Sequence, residues 1–223
     1  TLFFLGLVYE GFFQFHFESL RIPSVLGRIG LAWMLAAILY CHTGKKAQWG
    51  VAAGILIGYF LLLKLVVAPD APAGADSLSK EGNIAFYIDR LLLPDNIYKP
   101  GVYDPEGILS TIPAVVTAML GMFTGRYVKE SPATGERKTL NMLAAAIVMA
   151  IVAVVWAHWF PVIKKLWTST FVLACGAWSI GLFAVFYYLI DVKGWRKGTV
   201  FFQVVGMNSI TIYMAQRIIG FWP

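Results

Sequence analysis

Residues 103–125 read YDPEGILSTIPAVVTAMLGMFTG. An acidic, turn-forming head (Tyr103, Asp104, Pro105, Glu106, Gly107) runs directly into an apolar segment able to cross a bilayer, and Arg126 closes it. Carboxylates at a helix start are stabilised by unpaired backbone N–H groups and by the positive end of the helix dipole. Asp104 and Glu106 therefore have two readings, a local structural one and a polar site at the membrane surface. Local chemistry favours neither.

Working outward, the composition supports a membrane reading. The 223 residues are 59% hydrophobic and only 13% charged, and the mean hydropathy is +0.71. A soluble domain carries roughly 25% charged residues. The net charge of +6 is explained first by basic cytoplasmic loops rather than by an anionic partner. Cys41 and Cys175 sit in apolar runs without metal-type or redox-type spacing, which marks them as packing residues. The sequence opens on Thr1 with no basic leader ahead of its apolar run, and it is expected to be the C-terminal part of a longer protein.

A spanning helix needs about 20 mostly apolar residues. Seven segments meet or approach that length: 1–15, 23–41, 49–67, 108–125, 139–159, 166–190 and 199–220. Glu10 interrupts the first, and Pro113 is expected to kink the start of the fourth. Between the third and fourth lies a long loop, 68–107, that opens on PDAPAGADS and closes through the turn-forming PDNIYKPG. Within it, 83–93 regains helical periodicity, with Ile84, Tyr87, Ile88 and Leu91 on one face, as in an interfacial helix or lid.

Lysine and arginine counts orient the spans. The second, fourth and sixth loops carry two, four and three basic residues in tight turns, whereas the first has only Arg21 and the third is net acidic. The even loops are thus expected on the cytoplasmic side. The fifth loop, with Lys164 and Lys165, votes weakly the other way. Arg21, Arg28, the Asp104/Glu106 head and the two lysines then meet at the outer end.

Arg28 stands inside the second span and needs a partner, because an arginine at a helix centre costs about 2.5–3.5 kcal/mol to insert. Asp104 or Glu106 is the expected partner, either in a structural ion pair or around a charge that binds substrate or donor. Asn208 in GMNSITIY is expected to hold helices together through its amide, with Gly206 allowing close approach. His16, His42 and His158 are scattered and share no metal-ligand spacing. No metal site, phosphate loop or nucleophile elbow is expected.

Five motifs in order, RIPSVLGRIG from Arg21, YDPEGILSTI from Tyr103, KLWTSTFV from Lys165, DVKGW from Asp191 and GMNSI from Gly206, resemble the heparan-α-glucosaminide N-acetyltransferase family, including its bacterial DUF5009-type and NagX-like members. The resemblance covers nearly the whole chain. It implies a multi-span acyltransferase. In the lysosomal enzyme of that family, acetyl-CoA is supplied from the cytosol and the acetyl group reaches the amino group of a terminal glucosamine across the membrane. The proposed catalytic histidine of that family sits in a His-x-x-Trp-Asn-Gly-type stretch that is not among these residues, so no role is carried over to His16. Gln216 stands where the lysosomal relative has a histidine, and Ile163 where bacterial relatives have asparagine.

The expectation is an all-α, polytopic transmembrane bundle with about seven spans, forming one domain over 1–223. Its expected activity is acetyl transfer from acetyl-CoA, without a metal, to an amino sugar or glycan on the outer side, in a bacterial inner membrane. Its catalytic base would lie upstream. Substrate- or donor-binding roles fall to Arg28, Asp104, Glu106, Lys165, Trp167 and Asn208. Partners are membrane lipid, the sugar and a second copy of the chain, and nucleic acid is excluded. A sugar permease without chemistry is the alternative.

Overall fold

The computed structural model describes residues 1–15, 20–93, 97–98 and 102–218. His16, most of the expected turn at 94–101, the Arg217 side chain and the last two residues of the seventh expected span lie outside the described residues. The described chain is helical, with one isolated antiparallel bridge between Val67 and Asn83.

Local chemistry accounts for the helix starts. Ser24 caps α2 (Val25–His42) by accepting from Gly27 N, and Asn83 caps α4 (Ile84–Leu92) by accepting from Ala85 N. Ahead of α2 comes α1 (Leu2–Glu10), stopped by Gly11 at φ 108°. Gly44 opens α3 (Lys45–Leu65), and α5 (Thr111–Glu130) follows the acidic head. Thr134 and Thr168 cap α6 (Gly135–Ala157) and α7 (Ser169–Tyr187). The chain closes with α8 (Thr199–Met207) and α9 (Ser209–Ile218).

Among the described residues, four helices are long and apolar enough to cross a bilayer: α2, α3, α6, and α7 with its π-helical extension to Val192. The count of seven is not confirmed. Gly11 ends α1 after Glu10, and Asn208 divides the seventh expected span into helices of 9 and 10 residues. The fourth expected span is α5, whose last turns carry Arg126, Lys129 and Glu130. Pro113 is its third residue, where a missing N–H loses no intrahelical bond, so no kink follows from it.

α5 is the central helix, packed against α2, α3 and α7. Its Val115, Val116, Met119 and Phe123 interlock with Ala32 and Ala36 of α2, Ala52 of α3 and Val172 of α7. Small residues let these backbones approach, as in membrane helix packing generally. A second cluster (Tyr59, Leu63, Ala85, Phe86, Tyr103, Phe160, Leu166) joins α3, α4 and the α6–α7 connection at one end. The outward faces of α6 and α7 carry Ile147, Val148, Ile151, Val154, Trp178 and Leu182, all exposed. So broad an apolar surface suits lipid rather than water. This is an integral membrane protein.

Candidate functional site

Three connecting segments meet at one end of the bundle: the one before α2, the one between α3 and α5, and the one between α6 and α7. Arg21 is the hub. Its Nε and Nη2 donate to the two carboxylate oxygens of Asp104 at 2.9 and 2.7 Å, its Nη1 to Glu10 Oε1 at 3.3 Å, and its Nη2 also to Glu106. Asp104 is fully buried and also accepts from Tyr98 N and Glu106 N at 2.7 and 2.8 Å. A planar fork gripping a carboxylate from two sides is the strong form of an ion pair. Burial opposes the Arg21 charge, but the Asp104 hydrogen bond and charge, with Glu10 and Glu106, outweigh it and hold the guanidinium above its ordinary range.

This differs from the expected pairing. Arg28 makes no ion pair with Asp104 or Glu106. Its Nη2 donates to Pro105 O at 2.6 Å and Ser110 Oγ at 2.5 Å, and its guanidinium lies 4.7 Å from the centre of the Trp167 ring. Pro105 belongs to the acidic head and Ser110 stands at the start of α5 just after it, so the predicted junction of α2 with this segment exists, through neutral groups. Trp167 is held in a left-handed conformation, φ 51°, with its Nε1 donating to Thr117 Oγ1 of α5 at 3.2 Å. Its ring is thereby fixed across the buried Arg28. A cation over an indole face in a dry site gains about 2 kcal/mol.

Lys165 sits beside this centre rather than in it. Its Nζ donates to Tyr103 Oη at 3.1 Å and lies 5.1 Å from that ring, which Lys80 also approaches. Asn208 is not part of the cluster. Its amide donates to Val204 O one turn back, at 2.8 Å, and among the described residues it joins no other helix. Gly206 faces open space rather than a close neighbour.

A cavity of about 640 Å³ opens between α2 and α5. Arg28 and Glu106 stand among its lining, which is otherwise mainly apolar (Leu31, Met34, Ile112, Val115). It offers one buried cation and a carboxylate beside an apolar channel, a form suited to a ligand with a polar head and an apolar arm.

Two residues escaped the sequence reading in different ways. Arg21 was placed at this end but not as the hub. Asp89, 1% exposed on α4, was missed. The signal for it was a carboxylate inside NIAFYIDRLLL. Ile84, Tyr87, Ile88 and Leu91 were expected on one face, as in an interfacial helix or lid; the helix buries Ala85, Phe86 and Asp89, with Ile84, Tyr87 and Ile88 half-buried and Leu91 exposed.

No protein-family model matches the chain. Among curated proteins it is similar to heparan-alpha-glucosaminide N-acetyltransferase of Homo sapiens, 29% identical over 90% of this chain and 37% of the human protein. The Mus musculus protein of the same name is 28% identical over 91% of this chain and 38% of its own length. The chain thus spans well under half of these relatives. Its likeness to both runs through nearly all of its own residues, and this supports a heparan-α-glucosaminide N-acetyltransferase-like family for it.

Proposed function

We propose that the chain is a membrane portion of an acetyltransferase that moves an acetyl group from cytoplasmic acetyl-CoA to an amino sugar on the outer side. The observation that carries the reading is the likeness to two N-acetyltransferases across nine-tenths of the chain. The geometry suits it. Arg28, braced on Trp167 and backed by the Arg21–Asp104–Glu106 cluster, stands at a cavity with room for a polar head and an apolar arm.

In the proposed reaction, the amine nitrogen attacks the thioester carbonyl. The carbon–sulfur bond then breaks and the thiolate leaves with the electron pair. A base takes the proton the amine must lose, and a donor steadies the oxyanion. Arg28 is the proposed donor-side charge, Trp167 a surface for stacking, and Lys165 a second cation at the rim. Asp104 and Glu106 hold the wall through Arg21. Asn208 takes no part, and the base is assigned to the part of the relatives' length that this chain does not span. The basic residues of the opposite end (Lys45, Lys46, Arg126, Lys129, Arg137, Lys138) support a cytoplasmic side there.

The test is acetyl transfer. The natural protein that carries this chain is purified in detergent and given radiolabelled acetyl-CoA with glucosamine or glycans ending in it. Label on the amine is the expected result, and Arg28→Lys should lower its rate by about tenfold or more, because Lys lacks the fork. No transfer, together with sugar uptake in proteoliposomes, would replace the enzyme reading with a transporter.

A further inference from the structure

Asp89 has no part in the reaction just described, yet its surroundings are unusual. One carboxylate oxygen, Oδ1, accepts from Ile108 N at 2.8 Å. The other, Oδ2, is buried and has no hydrogen-bond partner among the described residues. Gly107 lies against the carboxylate so closely that a Cβ there would fall 1.7 Å from Oδ2. Arg28 Nε is likewise buried with no hydrogen-bond partner among the described residues. Buried polar atoms are nearly always paired, so each such orphan asks for an explanation. These two are complementary, a cationic donor and a carboxylate acceptor. Both residues grip the same short segment, Arg28 at Pro105 and Ser110, Asp89 at Ile108.

We propose that Asp89 is a positioning residue for Arg28, and that the proton on its free oxygen decides whether the guanidinium stays on Pro105 and Ser110, facing the cavity. When protonated, Asp89 is neutral and leaves Arg28 where the structure shows it. When ionised, it draws Arg28 Nε toward α4 and away from the cavity.

The charged and titratable groups facing Asp89 are Arg28 from α2, Tyr59 from α3, Asp104 from the acidic head and Arg90 from its own helix. Arg90 is turned to Asp70 and to Val102 O. Burial, and secondarily the Asp104 charge, favour the proton; the Ile108 N–H, Arg28 and Arg90 oppose it. The outcome is a carboxyl pushed up to about 7. The two positions of Arg28 would then exchange near neutral pH.

The experiment needs no substrate. In the natural protein, an infrared pH titration should show a buried carboxylic-acid band that disappears near pH 7 and is absent in Asp89→Asn. Arg28→Gln removes a facing cation and should raise the midpoint by about one unit or more. A band that survives Asp89→Asn, or a midpoint that ignores Arg28→Gln, overturns the proposal. Should Arg28→Gln fail to fold, nitrogen-15 signals of arginine Nε read the pair from the other side. One signal should move with pH in the wild type and stay still in Asp89→Asn, and a signal that still moves in Asp89→Asn overturns the proposal.

The functional consequence rests on the donor-binding reading of Arg28. Acetyl-CoA should bind about tenfold more weakly at pH 8 than at pH 6, and equally at both in Asp89→Asn. If acetyl-CoA fails to bind at either pH while the infrared coupling holds, the positioning role stands and the donor-binding reading falls.

Discussion

At the Arg21 end of the bundle, polar groups placed among apolar helices reach across the fold. Arg21 joins Glu10, Asp104 and Glu106, and Arg28 reaches the acidic head and Trp167. In α8 and α9 the polar group turns back on its own helix. Asn208 caps Val204 O, none of residues 199–216 is buried, and Phe201, Phe202 and Met207 are all at least 60% exposed. The difference lies in packing. Where helices converge, a polar side chain finds a partner from a distant part of the chain. Where they do not, the backbone of its own turn is the nearest acceptor.

The sharpest way to break this contrast is Arg21→Ala. It strips the cation from Asp104, Glu10 and Glu106 together, and removing one side of a buried pair costs about 3–5 kcal/mol. Unfolding in detergent should show a loss of that size. A loss no greater than that of Asn208→Ala would mean that the Arg21 cluster is no more structural than the α8–α9 bend.

Two glycines sharpen it next. A methyl at position 107 meets the Asp89 carboxylate, whereas one at 206 meets nothing within 4 Å. Gly107→Ala should therefore destabilise by about 1–3 kcal/mol, as overpacking does. Gly206→Ala should stabilise by about 0.5–1 kcal/mol, since it gains only helix propensity. Similar effects at both sites would refute the packing difference.

pH separates the regions again. Folded Asp89 keeps its proton up to about pH 7, against an ordinary value of 3.8. Between those values the native state holds more protons than the unfolded chain, so stability falls as pH rises through the window and levels off above it. Asp89→Asn should flatten that slope, matching the wild type near pH 4 and exceeding it at pH 8. Asn208→Ala carries no titrating group and should leave the slope unchanged.

Much of this was legible in the sequence. Hydropathy marked α2, α3, α6 and α7, and the acidic turn ahead of α5 marked one pole of the site. The arginine pairing was not legible. The sequence places Arg21 in the first loop and Arg28 inside the second span, but their positions do not say which of them takes the carboxylates; the segment ahead of α2, which starts at Val25, carries Arg21 to Asp104. Asp89 was hidden because apolar periodicity favoured the opposite face of α4. The count of seven spans is not confirmed: Gly11 ends α1 and Asn208 bends the seventh apolar run, and backbone conformation at one residue is not written in hydropathy.

Asn208 carries the smallest expected effect and the cleanest test of that last point. Its φ of −104° and ψ of 11° leave the helical basin, yet its N–H still reaches Val204 O and its carbonyl accepts from Ile212 N. The backbone ladder therefore bends there rather than ends. The side chain adds one bond to an acceptor the backbone already uses, so Asn208→Ala should cost less than about 1 kcal/mol. Circular dichroism should show no less helix, because alanine is the better helix former. Loss of helix or a larger destabilisation would mean that the amide itself sets the bend, and the α8–α9 pair would then be as dependent on one polar group as the Arg21 cluster is.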